Sequence, residues 1–136
     1  MIAFFDASAL IYLIEARVPF ASTLRQALAA LADVHPGMPV ALSRLTWLAC
    51  RVGTLKSGDA ATLARYDTFF ARPDLIWVAL GRDVVELATA VRARHGLRTP
   101  DALQAACCLQ LGAEHLLLTG DTTFTRVSGL RVRALA

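Results

Sequence analysis

Charge, cysteine and long apolar runs are all scarce in this sequence. Charged residues make up only 18% of its 136 residues and apolar residues make up 56%, a balance that excludes a disordered tail or a solvated linker. No run of about eighteen residues is apolar and free of charge, so no membrane-spanning segment is predicted. The first residues also lack the basic region of a secretory signal peptide. These absences predict a globular protein of the cytoplasm with no membrane association.

Cysteine occurs three times, and the positions do not suit a disulfide framework or a zinc site. Cys107 and Cys108 are adjacent in an apolar run, and Cys50 is distant from both in sequence. An odd number at this spacing is typical of free thiols in a reducing compartment. We expect all three side chains to be buried and unpaired.

Lysine is nearly absent, because Lys56 is the only one among 14 basic residues. Arginine binds phosphate with a planar fork, which indicates a nucleic-acid partner. Codon bias in a GC-rich genome produces the same excess of arginine, and a net charge of +3 is a weak electrostatic footprint. The mean hydropathy of +0.50 is high for a small monomer and predicts that some apolar surface faces another chain.

Short apolar runs alternate with segments of helical spacing along the whole chain. The predicted strands are Ile2–Phe5, Pro39–Leu42, Leu75–Leu80, His115–Leu118 and Leu130–Arg133. The predicted helices are Ala7–Arg17, Phe20–Val34, Ser43 to about Leu55, a helix after the cap 57–59 through Ala71, Asp83–Arg94, and Pro100–Leu111 with Thr99 as its N-cap; Asp121–Arg126 is a short turn or helix. This alternation predicts a single α/β domain over residues 1–136, with a central parallel sheet covered by helices on both faces.

Three aspartates occur where an open parallel sheet binds its ligands, at the carboxyl ends of its strands. Asp6 follows the first strand, Asp121 follows the fourth, and Asp101 lies in the first turn of the helix that begins at Pro100. Asp6 also interrupts an apolar segment, where a charge is costly unless it is paired or bound to a metal. Clustered carboxylates without histidine or cysteine suit Mg²⁺ or Mn²⁺, and such a cation activates water against a phosphodiester.

Each aspartate also has a purely structural interpretation. Asp6 and Asp121 are in positions to cap helices, and Asp101 is in a position to complement a helix dipole. Taken singly, each side chain fits the structural role at least as well as the chemical one. The metal-site hypothesis depends on finding all three together.

The same residues carry a resemblance to the PIN domain family. The segment 2–12, in which Ser8 follows Asp6 by two places, is similar to the opening of a PIN domain. The segment 96–103 resembles the motif around the third acid of that family. Leu118-Thr119-Gly120-Asp121, followed by Phe124, resembles the terminal Thr-Asn-Asp motif with Gly120 in place of Asn. Order and spacing fit over essentially the whole chain, and its length resembles that of the VapC-type ribonuclease toxins of type II toxin–antitoxin systems.

One residue departs from the pattern. The family carries a Glu in the helix after the second strand, and the corresponding position in the segment 43–53 is Ala49. The neighbouring charges, Arg44 and Arg51, are basic. Glu15 and Glu86 lie on other predicted helices, where we expect both to be solvated.

The resemblance implies a PIN-like α/β/α fold and a metal-dependent endoribonuclease. Asp6, Asp101 and Asp121 would be the catalytic residues and hold Mg²⁺ or Mn²⁺, and Ser8 and Thr119 would support them. RNA would be the substrate, a cognate antitoxin the partner, and a homodimer the assembly, with activity attenuated by Ala49. One alternative is a catalytically inactive PIN-fold binding protein. Another alternative is a small phosphoacceptor-type α/β domain. Such a domain normally has a lysine after its last strand, and this sequence has none there.

Overall fold

The computed structural model describes residues 1–135, and over this range six α-helices and five β-strands alternate as the sequence predicts. The strands are β1 (Ile2–Phe5), β2 (Val40–Ser43), β3 (Ile76–Val78), β4 (His115–Thr119) and β5 (Val132–Ala134). The helices are α1 (Ala7–Ile14), α2 (Phe20–Val34), α3 (Arg44–Ser57), α4 (Ala60–Phe70), α5 (Arg82–His95) and α6 (Thr99–Leu109), and a 3₁₀ turn spans Thr122–Arg126.

The five described strands form one parallel sheet in the order β3-β2-β1-β4-β5. β1 lies at its centre, with Phe4 beside Ala41 of β2 on one side and beside Leu117 of β4 on the other. Because all strands are parallel, the residues that follow β1, β2 and β4 emerge at the same edge of the sheet. The predicted α/β/α architecture is confirmed.

The alternation of side chains along the strands divides the core into two layers. Phe4 and Leu117 point to the face covered by α5 and α6. Phe5 and Leu118 point to the opposite face, where Leu24 of α2 and other residues of α1, α3 and α4 complete the packing. The two layers hold the central strands on both sides, so the carboxyl edge of the sheet is a rigid platform.

The end of α1 differs most from the sequence prediction, and the other element ends lie within two residues of it. α1 ends at Ile14 and not at Arg17, because Glu15 caps it and Ala16 adopts a positive φ of 51°. Thr99 is the first residue of α6 and not its N-cap; Arg98 occupies the cap position, and its side chain makes no capping hydrogen bond. The predicted strand Leu75–Leu80 shortens to β3, and the predicted strand Leu130–Arg133 shifts toward the C-terminus to become β5.

Two further expectations concern the cysteines and the membrane. Cys50, Cys107 and Cys108 are buried and free, as predicted. Over residues 1–135, no helix combines the length and apolar character needed to cross a membrane.

Candidate active site

A cavity of about 490 Å³ opens at the carboxyl edge of the sheet. Asp6, Asp101 and Asp121 all line it, and so does Ala49. The remaining lining residues are Ala7, Ser8, Leu45, Leu48, Val52, Arg98, Pro100 and Gln104. The structure therefore brings the three predicted acids to one cavity, together with the position at which the resemblance places a fourth.

Asp6 is fixed at the end of β1, where it is 5% exposed. Its Oδ1 accepts hydrogen bonds from the backbone N of Ala9 at 2.9 Å and from Ser8 Oγ at 2.7 Å. Its Oδ2 accepts a hydrogen bond from Thr119 Oγ1 of β4. Asp6 is thus the N-cap of α1, as its structural interpretation requires, and it also lines the cavity.

Burial controls the ionisation of Asp6. Removal from water raises the pKa of this carboxyl above its ordinary value, and the nearby charge of Asp101 adds to the effect. The hydrogen bonds from Thr119, Ala9 and Ser8 lower the pKa but do not offset the burial. A carboxylate in this condition is stabilised by a cation, because a positive charge favours its ionised form.

Ser8 and Thr119 connect Asp6 to the turn that carries Asp121. Ser8 Oγ accepts a hydrogen bond from the backbone N of Gly120 at 2.9 Å, and Thr119 Oγ1 accepts one from the backbone N of Asp121 at 3.0 Å. The Oδ1 of Asp121 caps the 3₁₀ turn by accepting from the backbone N of Thr123 at 2.9 Å. The two hydroxyls therefore fix the backbone on which the third acid stands.

Gly120 lies so close to the Tyr12 side chain that any larger residue at this position requires Tyr12 to move. A Cβ built on it would lie 2.3 Å from the hydroxyl of Tyr12. The ring of Tyr12 stacks on Phe20, with the ring centroids 4.5 Å apart. Tyr12 thus fills the space into which the Cβ of an Asn at residue 120 would project.

The cavity lined by Asp6, Asp101 and Asp121 is called the acidic cavity below. Asp101 lies between it and a second, smaller cavity with a basic wall. Its Oδ2 accepts a hydrogen bond from Arg98 Nε at 3.3 Å. The second cavity, of about 290 Å³, is lined by Asp101 and Asp121 together with Arg98, Arg126 and Thr123. Both arginines are exposed, and Arg126 forms no ion pair with any acid of the part of the chain that the structure describes.

Ala49 separates the acidic cavity from a third one that contains Glu15. This cavity, of about 310 Å³, is lined by Ala49, Cys50, Glu15 and other residues of α1 and α3. The prediction that Glu15 is solvated holds only in part: its side chain is 27% exposed, but its Oε2 accepts a hydrogen bond from the Tyr66 hydroxyl at 2.5 Å and its Oε1 pairs with Arg17 at 3.0 Å. Glu86, by contrast, is exposed and paired with Arg82.

Gln104 is a polar residue of the cavity that the sequence analysis missed. It is 5% exposed, on α6, one turn after Asp101. The signal was present in the sequence, because Gln104 is the one polar side chain in the segment Ala102–Leu109, whose other residues are alanine, leucine and cysteine. A lone amide on the buried face of a helix indicates a specific hydrogen-bond partner.

The donor set fits a hard divalent cation in its chemistry. Three carboxylates and two hydroxyls offer only oxygen ligands, which Mg²⁺ and Mn²⁺ prefer. As the side chains of residues 1–135 stand, no three His, Cys, Asp or Glu residues lie close enough together to bind one metal ion. Asp101 is engaged by Arg98 and Asp121 by its own turn. These hydrogen bonds use the Oδ2 of Asp101 and the Oδ1 of Asp121, so the other oxygen of each carboxylate is left for a cation.

Comparison with known proteins gives one family match and several structural neighbours. Residues 3–130 match the family described as PIN domain. A toxin–antitoxin complex from Klebsiella pneumoniae is 28% identical, with a TM-score of 0.71 and coverage of 98% of each chain. No curated protein matches the chain by sequence.

Two VapBC structures share the fold at lower identity. VapBC2 from Rickettsia felis, bound to a DNA fragment from its promoter, is 17% identical with a TM-score of 0.76 and 98% of each chain covered. DNA-bound VapBC from Salmonella typhimurium is 15% identical with a TM-score of 0.75, covering 100% of this chain and 99% of that chain.

Proposed function

The chain belongs to the PIN domain family, whose members are generally nucleases, and on that premise we propose that it is a VapC-type endoribonuclease toxin of the cytoplasm. It cleaves RNA phosphodiesters with Mg²⁺ or Mn²⁺, is weakened by Ala49, and is neutralised by a cognate antitoxin. The observation that carries this proposal is the convergence of Asp6, Asp101 and Asp121 on one cavity at the carboxyl edge of the sheet. Asp6 and Asp121 cap helical turns as well, but Asp101 is not a cap, and all three line the same cavity.

The three aspartates are the residues that would hold the cation. When bound, such an ion supplies an activated water and neutralises charge that develops on the phosphate. Ser8 and Thr119 hold Asp6 in its orientation, and their bonds to Gly120 and Asp121 keep the third acid at a fixed place relative to the first. The chain thus supplies orientation as well as ligands.

Arg98 and Arg126 are the groups placed to receive the charge of the RNA backbone. They form the basic wall beyond Asp101 and Asp121, and guanidinium groups bind phosphate oxygens with two parallel hydrogen bonds. Arg98 would exchange its contact with Asp101 for a substrate phosphate, which would release the carboxylate for the cation. The opposite wall, formed by Leu45, Leu48 and Val52, offers no such charge.

Ala49 removes one negative charge from the acidic cavity. Its methyl group lines the wall at the place where the resemblance expects a Glu, and no described acid of the chain replaces that group there. The lost carboxylate would have bound a cation or oriented water. We therefore expect weak cation binding and feeble cleavage in the chain as it stands.

An antitoxin and a second copy of the chain are the proposed protein partners. Leu48, Val52 and Leu55 are 55%, 43% and 58% exposed and recur on α3 at helical spacing, so they form an apolar stripe. Leu48 and Val52 also line the acidic cavity. A partner on this stripe would cover the site, which is consistent with the neutralisation that we propose. Sedimentation of the chain alone and with its antitoxin tests both associations.

Cleavage of RNA with Mn²⁺ or with EDTA tests the proposed function. The Ala49→Glu protein is the more sensitive background, and Asp6→Asn, Asp101→Asn and Asp121→Asn should each abolish cation-dependent cleavage in it. Asp74→Asn is the matched control, because Asp74 is 64% exposed and paired with Arg72 away from the cavity. Loss of cleavage in the three variants and not in the control supports the proposal.

A non-catalytic binding protein is the second candidate, and Ala49 is the observation that favours it. Such a protein would bind RNA or an antitoxin without cleaving, even after Ala49→Glu. RNA binding without cleavage in both backgrounds would replace the first proposal by this one.

A further inference from the structure

The buried amide of Gln104 joins α6 to the beginning of α3. Its Oε1 accepts a hydrogen bond from Ser43 Oγ at 2.6 Å, and its Nε2 donates one to Thr46 Oγ1 at 2.8 Å. Ser43 and Thr46 are fully buried as well. The amide is therefore satisfied at both ends by one short segment of the chain.

The same chain of hydrogen bonds reaches the end of β1. Thr46 Oγ1 donates to the backbone carbonyl of Phe5 at 3.4 Å, and Ser43 Oγ accepts from the backbone N of Thr46 at 3.2 Å as the N-cap of α3. Phe5 is the residue before Asp6, and Gln104 lies one turn after Asp101. The network thus connects the supports of Asp6 and Asp101 through the first turn of the helix that carries Ala49.

The other buried contacts of α6 are apolar and involve no side-chain hydrogen bond. Its buried side chains apart from Gln104 are alanines and cysteines: Ala102, Ala105, Ala106, Cys107 and Cys108. Apolar burial is non-directional, whereas hydrogen bonds specify distance and angle. Within residues 1–135, Gln104 makes the only side-chain hydrogen bonds from α6 to another helix or strand.

We propose that Gln104 is a positioning residue that sets the placement of Asp101 relative to Asp6. This inference rests on the proposed function, because it gives the network a role in the metal-binding cavity. Without the link, α6 can shift or rotate on its alanine and cysteine face, and Asp101 moves with it. Residues that orient metal ligands typically change affinity by about 10–100-fold when they are removed.

The first test compares structures and needs no cation. Gln104→Met keeps the length of the side chain and removes both hydrogen bonds, and Gln110→Met makes the same change at an exposed position after α6. Crystal structures of both variants and the parent chain should show a changed separation of the Asp6 and Asp101 carboxyl groups only in Gln104→Met. An unchanged separation in that variant would overturn the proposal.

The second test measures Mn²⁺ affinity by calorimetry and by the electron paramagnetic resonance signal of the bound ion. We expect Gln104→Met to weaken binding about 10–100-fold, and Thr46→Val to do the same, although Thr46 does not line the cavity. The double variant should lose no more than either single one, because both changes break one network. Ala106→Gly weakens the same helix and leaves the network intact, so it should lose stability and retain affinity.

These results separate the inference from the function on which it rests. Equal loss of affinity in Ala106→Gly and Gln104→Met would mean that the amide acts only through stability, and the inference would fail. Additive losses in the double variant would also contradict it. If the parent chain binds no Mn²⁺ even after Ala49→Glu, the proposed metal site fails, whereas the structural comparison still decides the role of Gln104. Should Gln104→Met not fold, Thr46→Val breaks the same link from α3.

Discussion

The two ends of α1 carry carboxyl groups whose environments shift their pKa values in opposite directions. Asp6 begins the helix and Glu15 ends it, so the helix dipole alone would lower the pKa of Asp6 and raise that of Glu15. The structure shows the reverse: the pKa of Asp6 is raised and that of Glu15 is lowered. The cavities that contain them meet at Ala49.

The difference lies in the balance between burial and partners. Burial raises the pKa of both groups and is the largest single influence on each. At Glu15 the hydrogen bonds from Tyr66 and Arg17, with the charge of Arg17, more than offset it. Asp6 receives bonds only from uncharged groups and faces another acid, Asp101. The charge of Glu15 is thus already stabilised by its partners, whereas the ionised form of Asp6 would be stabilised further by a cation.

Neutralising each carboxylate in turn should give the largest difference between the two ends of α1, measured as the rate of RNA cleavage. In the Ala49→Glu background, Asp6→Asn should reduce Mn²⁺-dependent RNA cleavage by about 10²–10⁴-fold, a loss of the size found when a general acid or base is removed, because it takes away a carboxylate that would hold the activating ion. Glu15→Gln should leave the rate unchanged, because its cavity lies beyond Ala49. Initial rates on one labelled RNA measure both. A comparable loss of cleavage rate in Glu15→Gln would contradict the view that only Asp6 serves the active site.

Restoring the acid at position 49 should have the next largest effect. Ala49→Glu should raise Mg²⁺-dependent cleavage by about tenfold or more, because it adds a charge and a candidate base to the acidic cavity. Ala49→Gln, which has the same size without the charge, is the control and should give no increase. No change in Ala49→Glu, with Asp6→Asn still inactivating, would show that position 49 is not the missing acid.

The pH dependence of stability should have opposite signs at the two ends. The raised pKa of Asp6 means that its protonated form stabilises the fold below the ordinary value of 3.8, and this stabilisation is lost as the pH rises through the folded-state pKa. The lowered pKa of Glu15 means that its charged form stabilises the fold above the ordinary value of 4.5, and this is lost as the pH falls through the folded-state pKa.

Thermal unfolding in EDTA from acid to neutral pH measures both effects. The Tm of Asp6→Asn relative to the parent chain should rise as the pH increases, and that of Glu15→Gln should fall. Parallel trends in the two variants would contradict the comparison. A higher Tm with lower cleavage in Asp6→Asn would also show that the site is kept at a cost in stability.

The smallest effect is expected at Cys50, which lies between the two carboxylates. Burial, followed by the charges of Glu15 and Asp6, raises the pKa of this thiol to about 12. Because burial is the largest cause, neither Asp6→Asn nor Glu15→Gln should make Cys50 reactive. Native-state alkylation read by peptide mass spectrometry, with the denatured chain as the positive control, measures this. Alkylation of Cys50 in either folded variant would show that charge, and not burial, protects it.

The sequence predicts the sheet and the meeting of the three acids for the same reason. Short apolar strands that alternate with helices require a parallel sheet, and a parallel sheet places the residues after β1 and β4 at one edge. Asp6 follows β1 directly, and Asp121 follows β4 after Gly120. Their place in the fold is therefore determined by local pattern plus one topological rule, although their chemical roles remain proposals.

The contacts that the sequence does not predict depend on pairings far apart in the chain. Glu15 and its partner Tyr66 are separated by 51 residues, and Gln104 and Ser43 by 61. No periodicity within a helix reports such a pair, because it depends on how two helices are placed on the sheet. The error in the predicted end of α1 has a local cause instead: neither Ala16 nor Arg17 is a residue type that predicts the positive φ at Ala16.

The contact between Tyr12 and Gly120 makes the order of evolutionary change matter at the turn before Asp121. A Gly120→Asn substitution would force the Tyr12 ring away from Phe20 to make room for the new Cβ. If Tyr12 is first replaced by a small residue, that obstruction is gone. The two positions are therefore epistatic: an asparagine at residue 120 is penalised while Tyr12 is present and is relieved of this clash after Tyr12 is lost. The Thr-Asn-Asp sequence is thus reached readily by only one of the two mutational orders.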